Sequence, residues 1–172
     1  ALQKQGRLQD ARKLLEAGLR ILHNSSLSRD SYIGGYGTIL YGNILVAQGN
    51  YSEVVAIYES AKEALAKNQY LFEKIFARNP NLMLCLLKTG RIKEAQQLIT
   101  GAYHLYQNNF GKDYYMTAEM LGLRGMAAFT ENKLEQAAKD FSKSIPVLLA
   151  ANITTSGDYS TRQRFKHITD TY

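Results

Sequence analysis

Residues 90–99 read GRIKEAQQLI, a glycine that can end one helix followed at once by the start of an amphipathic helix. The same phrase recurs three more times, as GRLQDA at residues 6–11, GNYSEV at residues 49–54 and NKLEQA at residues 132–137. Successive copies begin 43, 41 and 42 residues apart. Because a fixed period of about 20–50 residues is the signature of a stacked repeat array, the sequence predicts repeated helical hairpins.

The composition of the 172-residue chain also favours helices. Only two prolines occur, and the long stretches between glycines are rich in Ala, Leu, Lys, Glu and Gln, which are good helix formers. Hydrophobic residues make up 45% of the chain, enough to bury a core. We therefore predict a single all-α domain over residues 1–172, with about eight helices in antiparallel pairs and essentially no β-structure.

Apolar residues at helical spacing, separated by polar turn signals, place the helices along the chain. One helix is expected to run from a cap at Asp30 or Ser31 to Gly49, and polar connectors are expected at residues 24–28, 108–111 and 152–160. Pro146 is expected to bend the last turn of its helix. The other predicted helices cover residues 8–23, 51–67, 70–88 with an interruption at Pro80, 92–107, 113–130, 133–150 and 162–172.

Two interpretations of Pro80 are open from the sequence. A proline inside a helix removes a hydrogen bond and kinks or breaks the helix. Alternatively, Asn79 caps a new helix that has Pro80 in its first turn, a position that proline tolerates well.

Charge and cysteine content limit the classes of partner. The net charge is +6, but the 21 basic residues are scattered, whereas nucleic-acid surfaces usually gather Lys and Arg on one face. Nucleic acid is therefore disfavoured as a partner. No apolar run approaches the roughly 18 residues of a membrane span. The single cysteine, Cys85, lies among leucines and a methionine, which predicts a buried thiol.

Motifs for catalysis are lacking in the sequence. It contains neither His-Glu-x-x-His, nor a phosphate-binding glycine loop, nor Gly-x-Ser-x-Gly. A catalytic pairing of His104 with Cys85 is disfavoured, because His104 follows Tyr103 near a helix C-terminus, where a protonated imidazole interacts well with the helix dipole. We therefore expect a non-enzymatic protein without a cofactor or a metal site.

The repeats resemble the tetratricopeptide repeat. That family places a small residue in the first helix of each pair, glycine at the turn, alanine early in the second helix and a large apolar residue four positions later. The matching residues are Gly42 and Gly125 in the first helix; Gly6, Gly49 and Gly90 at the turn, with Asn132 in their place once; Ala11, Ala95 and Ala137, with Val54 once; and Leu15, Tyr58, Ile99 and Phe141.

The resemblance implies helix pairs stacked into a right-handed superhelix. A period near 42 is similar to the longer variant found in kinesin light chains and in bacterial proteins whose repeats precede a caspase-like CHAT domain. Residues 122–126, 140–141, 145–149 and 162–172 are similar to the junction before such a domain. One implied role is thus regulation of a downstream protease, in a longer chain of which this sequence is a part. Apolar faces at residues 8–22 and 165–172 would then be partly bare and could mediate self-association.

The family uses a concave face, lined by the first helix of each pair, to bind proteins or peptides. By that register, the residues predicted to face the groove are Tyr36, Ile39, Asn43, Val46, Leu84, Lys88, Glu119, Met126 and Phe129. Tyr36 supplies contact area, Asn43 can bond a peptide backbone, and Lys88 can pair with an acidic group. The sequence thus predicts a protein- or peptide-binding scaffold. The alternative, a nucleic-acid-binding helical array, requires its cations on one face.

Overall fold

The computed structural model of the protein describes residues 7–24, 32–154 and 159–172, and every regular element in these ranges is helical. Within them, no helix is both long enough and apolar enough to cross a membrane. The all-α class is thus confirmed for these ranges. The helices are α1 (Leu8–Asn24), α2 (Tyr32–Ala47), α3 (Tyr51–Ala66), α4 (Gln69–Leu71), which continues as a π-helix over Phe72–Ala77, α5 (Pro80–Lys88), α6 (Ile92–Phe110), α7 (Tyr115–Thr130), α8 (Leu134–Thr154) and α9 (Tyr159–Thr171).

The chain divides into two compact units, Ala1–Cys85 and Leu86–Tyr172. The boundary falls inside α5, so this helix contributes residues to both units. A single repeat domain over the whole chain stays a prediction. Cys85 itself is fully buried, as the surrounding leucines predict.

The recurring sequence phrase forms the same turn in three of its four copies. Gly49, Gly90 and Asn132 all lie in the left-handed region, with φ of 76°, 79° and 59°. The residue after each of them donates its backbone N–H to the carbonyl five positions earlier, at 2.9, 2.8 and 2.8 Å. This pattern is the Schellman motif, which satisfies the last carbonyls of a helix. The fourth copy, at Gly6, lies outside the described residues.

Small and large residues pack together across the hairpins as their spacing predicts. In the first unit, a methyl group added to Gly42 of α2 would lie 3.0 Å from the ring of Tyr58 in α3. In the second unit, one added to Gly125 of α7 would lie 2.9 Å from the ring of Phe141 in α8. Each glycine therefore lets an aromatic ring lie against the backbone of the facing helix. The residues at the early alanine position, Ala11, Val54, Ala95 and Ala137, are all buried.

Pro80 starts a new helix, which decides between the two interpretations of this residue. The side-chain oxygen of Asn79 accepts hydrogen bonds from the backbone N–H groups of Asn81, at 2.9 Å, and Leu82, at 3.1 Å. Asn79 thus caps α5, and Pro80 occupies the first helical position, where a missing N–H costs little.

Two predicted helix ends are too early. Helix α6 continues to Phe110 instead of ending at residue 107, because the side chain of Asn109 donates to the carbonyl of Leu105 at 2.8 Å and Gly111, with φ of 84°, supplies the stop. Helix α8 continues past Pro146 to Thr154. Because proline has no N–H, the carbonyl four residues before Pro146 has no helical partner. Pro146 is exposed, so water can bond this carbonyl instead.

The remaining connectors and caps fall partly outside the described residues. The cap at Asp30 or Ser31 and residues 25–28 of the predicted connector lie outside. Of the predicted loop at residues 152–160, the first three residues belong to α8 and the last two to α9. Its residues 155–158 lie outside the described ranges.

Candidate functional site

The structure separates the nine residues predicted to line a peptide groove into two groups. Tyr36 and Phe129 are each 49% exposed, Lys88 is exposed and Ile39 is partly exposed. A buried side chain cannot contact a ligand unless its helices separate, so a place in the groove stays a prediction that requires such a separation for the buried residues. These are Asn43, Val46, Leu84, Glu119 and Met126.

In the first unit, a residue of α5 contacts the α2 face that was predicted to line the groove. The side-chain amide of Asn81 in α5 donates a hydrogen bond to the side-chain oxygen of Asn43, and both residues are buried. Burying the polar group of Asn43 is tolerated because it is paired. Asn43 therefore joins two helices, and in this arrangement its side chain is not accessible to a peptide.

In the second unit, helix α9 covers the corresponding face of α7. The Nε of Arg164 in α9 donates to a carboxylate oxygen of Glu119 at 2.5 Å, and the two side chains are 6% and 1% exposed. Phe165 and Ile168 of α9 are buried as well. Of the face expected to be partly bare at residues 165–172, these two residues are covered, whereas Tyr172 is 72% exposed. In α1, by contrast, Leu14 and Ile21 are exposed, and self-association through that helix stays a prediction.

A mostly apolar opening of the second unit lies between the start of α7 and the second half of α8. We call it the aromatic groove. Its volume is about 620 Å³. It is lined by Asp113, Tyr114, Tyr115, Pro146, Val147, Ala150 and Ala151.

Packed rings form one wall of the aromatic groove. The ring centroid of Tyr114 lies 4.7 Å from that of Phe110, 5.0 Å from that of Tyr115 and 6.3 Å from that of Tyr106. Such contacts hold the rings in fixed positions, while Phe110 remains 60% exposed. Burial, and to a smaller extent Tyr114, raises the pKa of Tyr115 to about 12. Tyr115 is therefore a neutral phenol at physiological pH.

A second opening, which we call the basic cleft, lies towards the opposite end of the α7–α8 hairpin and has a volume of about 470 Å³. Four of its side chains are cationic and two are carboxylates. The lining residues are Gln96, Arg124, Ala128, Glu131, Lys133, Gln136, Lys139, Asp140 and Lys143.

Arg124 is held rigidly at the basic cleft. Its Nε and one terminal nitrogen donate to the two carboxylate oxygens of Asp140, at 2.8 and 2.7 Å, and Gln136 donates to the same carboxylate at 2.9 Å. The guanidinium also lies 5.0 Å from the ring centroid of Tyr103. The hydrogen bond to Asp140 raises the pKa of Arg124, which keeps the guanidinium charged.

A smaller network forms the rim of the basic cleft. Glu131 accepts hydrogen bonds from the amide of Gln96, at 2.8 Å, and from the ammonium of Lys133, at 2.9 Å. Lys133, followed by Gln96, lowers the pKa of the Glu131 carboxyl, so this carboxylate stays ionised at neutral pH. In residues 7–24, 32–154 and 159–172, no three His, Cys, Asp or Glu side chains are grouped as a metal site would require.

Neither a protein-family model nor a curated protein sequence matches the chain.

Sequence reasoning missed both openings, although each left a signal. Phe110, Tyr114 and Tyr115 stand close together around a helix break, which is unusual for a connector. Lys139 and Lys143 are one helical turn apart, a like-charge pair that is mildly unfavourable within a helix. The partners that complete each opening come from other helices, so neither signal alone locates a site.

Proposed function

We propose that the chain is a helical-repeat scaffold that binds a protein or peptide, and that the aromatic groove is its binding surface. The observation that carries the proposal is an open apolar groove beside a wall of packed aromatic rings. Binding surfaces are enriched in Tyr and Phe, because these side chains give much contact area for little conformational entropy. The exposed ring of Phe110, which packs on Tyr114 beside the lining, extends this surface.

The repeated hairpin supports placing the chain among tetratricopeptide-like proteins. Three of the turns have a residue in the left-handed region, and in two of the hairpins a glycine packs against an aromatic ring. In such repeat proteins, each hairpin contacts its neighbours and the stacked array presents an extended binding surface. We propose that these hairpins stack into a right-handed superhelix in the same way.

The chemistry of the aromatic groove favours a peptide with an apolar side chain over a nucleic acid. Aromatic rings can stack on bases, but single-stranded nucleic acids also need cations along their backbone. The lining of the groove has one carboxylate, Asp113, and no Lys or Arg. The phenol groups of Tyr114 and Tyr115 can instead hydrogen-bond to peptide groups while their rings contact an apolar side chain.

The proposal is tested by selecting peptides from a random displayed library against the chain and titrating the best peptide by fluorescence anisotropy. Ala150→Asp places a charge in the groove. Leu149→Asp places the same charge on the next residue of α8, which is 53% exposed and does not line the groove. Because an apolar ligand group would have to be buried against the new carboxylate, we expect about tenfold weaker binding, or more, for Ala150→Asp alone.

Circular dichroism should show equal helix content in both variants, so that a lost fold is not mistaken for lost binding. Equal affinities for the two variants would contradict the proposed surface. A library that yields no peptide above background would contradict the proposed function. Affinity that falls steeply with salt, for an oligonucleotide but not for a peptide, would favour the nucleic-acid alternative instead.

A further inference from the structure

We infer that the basic cleft of the second unit binds the carboxylate groups of an acidic peptide segment. The inference rests on the proposed function, since it names the chemistry of a peptide partner at a second surface of the same scaffold. The cleft is lined by residues of α6, α7 and α8 and of the turn between α7 and α8. Its lining shares no residue with the groove predicted on the first helices or with the aromatic groove.

Arg124 offers free donors in a fixed orientation. A guanidinium carries five N–H groups, and Asp140 takes two of them. The Arg124 side chain is 35% exposed while that of Asp140 is 1% exposed, so the remaining donors are open to the cleft. The buried carboxylate and the ring of Tyr103 fix the plane of the guanidinium, and a planar fork of donors suits a carboxylate ligand.

Lys139 and Lys143 add two charges that form no ion pair with the residues that the structure describes. Both are exposed on α8 and line the cleft. Among the described residues, neither has a carboxylate within ion-pair distance, whereas Lys133 pairs with Glu131 at 2.9 Å. Residues four apart on a helix have Cβ atoms about 5–6 Å apart. The two ammonium groups can thus reach neighbouring acidic groups of one ligand.

The small number of unbalanced charges in the cleft favours a short acidic peptide over a polyphosphate chain. Arg124 and Lys133 are balanced locally by Asp140 and Glu131, which leaves the charges of Lys139 and Lys143 unbalanced. A nucleic acid presents a regular row of phosphates, which calls for a longer row of cations than these two lysines provide. The amides of Gln96 and Gln136 lie beside these carboxylates and suit the polar backbone of a peptide.

The test measures binding of a fluorescein-labelled hexaglutamate peptide by anisotropy, with hexaglutamine and hexathymidylate carrying the same label as matched probes. The double variant Lys139→Gln with Lys143→Gln removes the two unbalanced charges. The control variant, Lys112→Gln with Lys166→Gln, removes two exposed lysines of the second unit that do not line the cleft. Both double variants lower the net charge equally, so comparing them distinguishes an effect of the cleft on binding from an effect of the overall charge of the chain.

We expect the cleft variant to bind hexaglutamate about tenfold more weakly than the wild type and the control variant to change the affinity less than twofold. Hexaglutamine should not bind, and raising the salt should weaken hexaglutamate binding because surface charges are screened. Equal losses in the two variants, or equal binding of hexaglutamine, would overturn the inference. Tighter binding of hexathymidylate that is lost in the cleft variant would also overturn it, in favour of a phosphate ligand.

The Ala150→Asp variant of the aromatic groove separates this inference from the proposed function. It should keep its affinity for hexaglutamate while it loses the library peptide. A chain that binds hexaglutamate through the cleft but selects no library peptide would contradict the aromatic groove alone. A chain that selects a peptide in the aromatic groove, with hexaglutamate binding unchanged by the lysine substitutions, would contradict the cleft alone.

Discussion

The two units use different polar chemistry for the same packing relation. In the first unit, α5 contacts α2 through a buried pair of neutral amides, Asn81 and Asn43. In the second unit, α9 covers α7 through a buried ion pair, Arg164 and Glu119, at 2.5 Å. In both units the polar residue of the covered helix is one that the sequence pattern predicts to line a groove. A polar residue on a first helix therefore indicates a buried helix–helix contact as readily as a ligand site.

The difference between the pairs should appear in the cost of removing one partner. Truncating one member of a neutral pair leaves an unsatisfied amide, which costs about 1–3 kcal/mol. Removing one member of a buried ion pair leaves an uncompensated charge, which costs about 3–5 kcal/mol. The ion pair is therefore the more fragile contact, even though replacing both of its members by apolar residues is often neutral.

The largest expected effect is that of Glu119→Leu. Because Arg164 then stays buried without its carboxylate, the free energy of unfolding should fall by about 3–5 kcal/mol, measured by urea denaturation. The double variant Glu119→Leu with Arg164→Met removes both charges and should recover most of the loss. A single variant as stable as the wild type would show that α9 does not hold Arg164 against Glu119.

The next effect is that of Ala95→Arg in α6. Ala95 is fully buried at the early position of its repeat, so a long charged side chain must displace its neighbours. Overpacking costs about 1–3 kcal/mol, and the charge adds to this. Thermal unfolding should show a clearly lower midpoint than for Gln97→Arg, an exposed position on the same helix. Similar midpoints for the two variants would mean that the repeat register is wrong.

Asn43→Ala should lower stability in the first unit by about 1–3 kcal/mol, because the buried amide of Asn81 loses this acceptor. The sequence pattern alone predicts another outcome, weaker peptide binding without unfolding. Chemical denaturation and peptide titration of the same variant decide between the two. Tyr36→Ala is the matched control, because Tyr36 lies on the same helix and is 49% exposed. Unchanged stability with weakened binding would restore Asn43 to the groove.

The smallest expected effect is that of exchanging the turn residues of two hairpins, α2–α3 and α7–α8. Asn132 adopts φ of 59° where Gly49 adopts 76°. Glycine adopts the left-handed region without steric cost, whereas the side chain of asparagine makes this conformation less favourable. Asn132→Gly should therefore stabilise the chain by a few tenths of a kcal/mol, up to about 1, and Gly49→Asn should destabilise it by a similar amount. Changes of the same sign in both variants would contradict the equivalence of the two turns.

Local features of the fold could be read from the sequence because their causes are local. The left-handed turns at Gly49 and Gly90 follow from glycine between apolar-periodic stretches, and the cap at Asn79 is one of the two interpretations that the Asn-Pro step leaves open. The helix ends after residues 107 and 150 were misjudged because Asn109 and Pro146, which usually signal a break, are accommodated inside the final turns.

The burial of Asn43 and Glu119 could not be predicted from the sequence, because the residues that cover them are distant in the chain. The partner of Asn43 lies 38 residues away, and that of Glu119 lies 45 residues away. The repeat period and the polarity of a residue single it out in the sequence, but they do not show which other helix will pack against it. The basic cleft was missed for the same reason, since Lys139 becomes part of a site only when α6 and α7 supply the remaining walls.

Backbone amide chemical shifts, followed by nuclear magnetic resonance as the library-selected peptide is added, test most directly which unit carries the peptide-binding surface. A peptide seated in the aromatic groove should shift the amides of Tyr114, Val147 and Ala150 most strongly. Shifts concentrated instead at Asn43 and Val46 of α2 would contradict the proposed surface, because those residues would then have to open to the ligand.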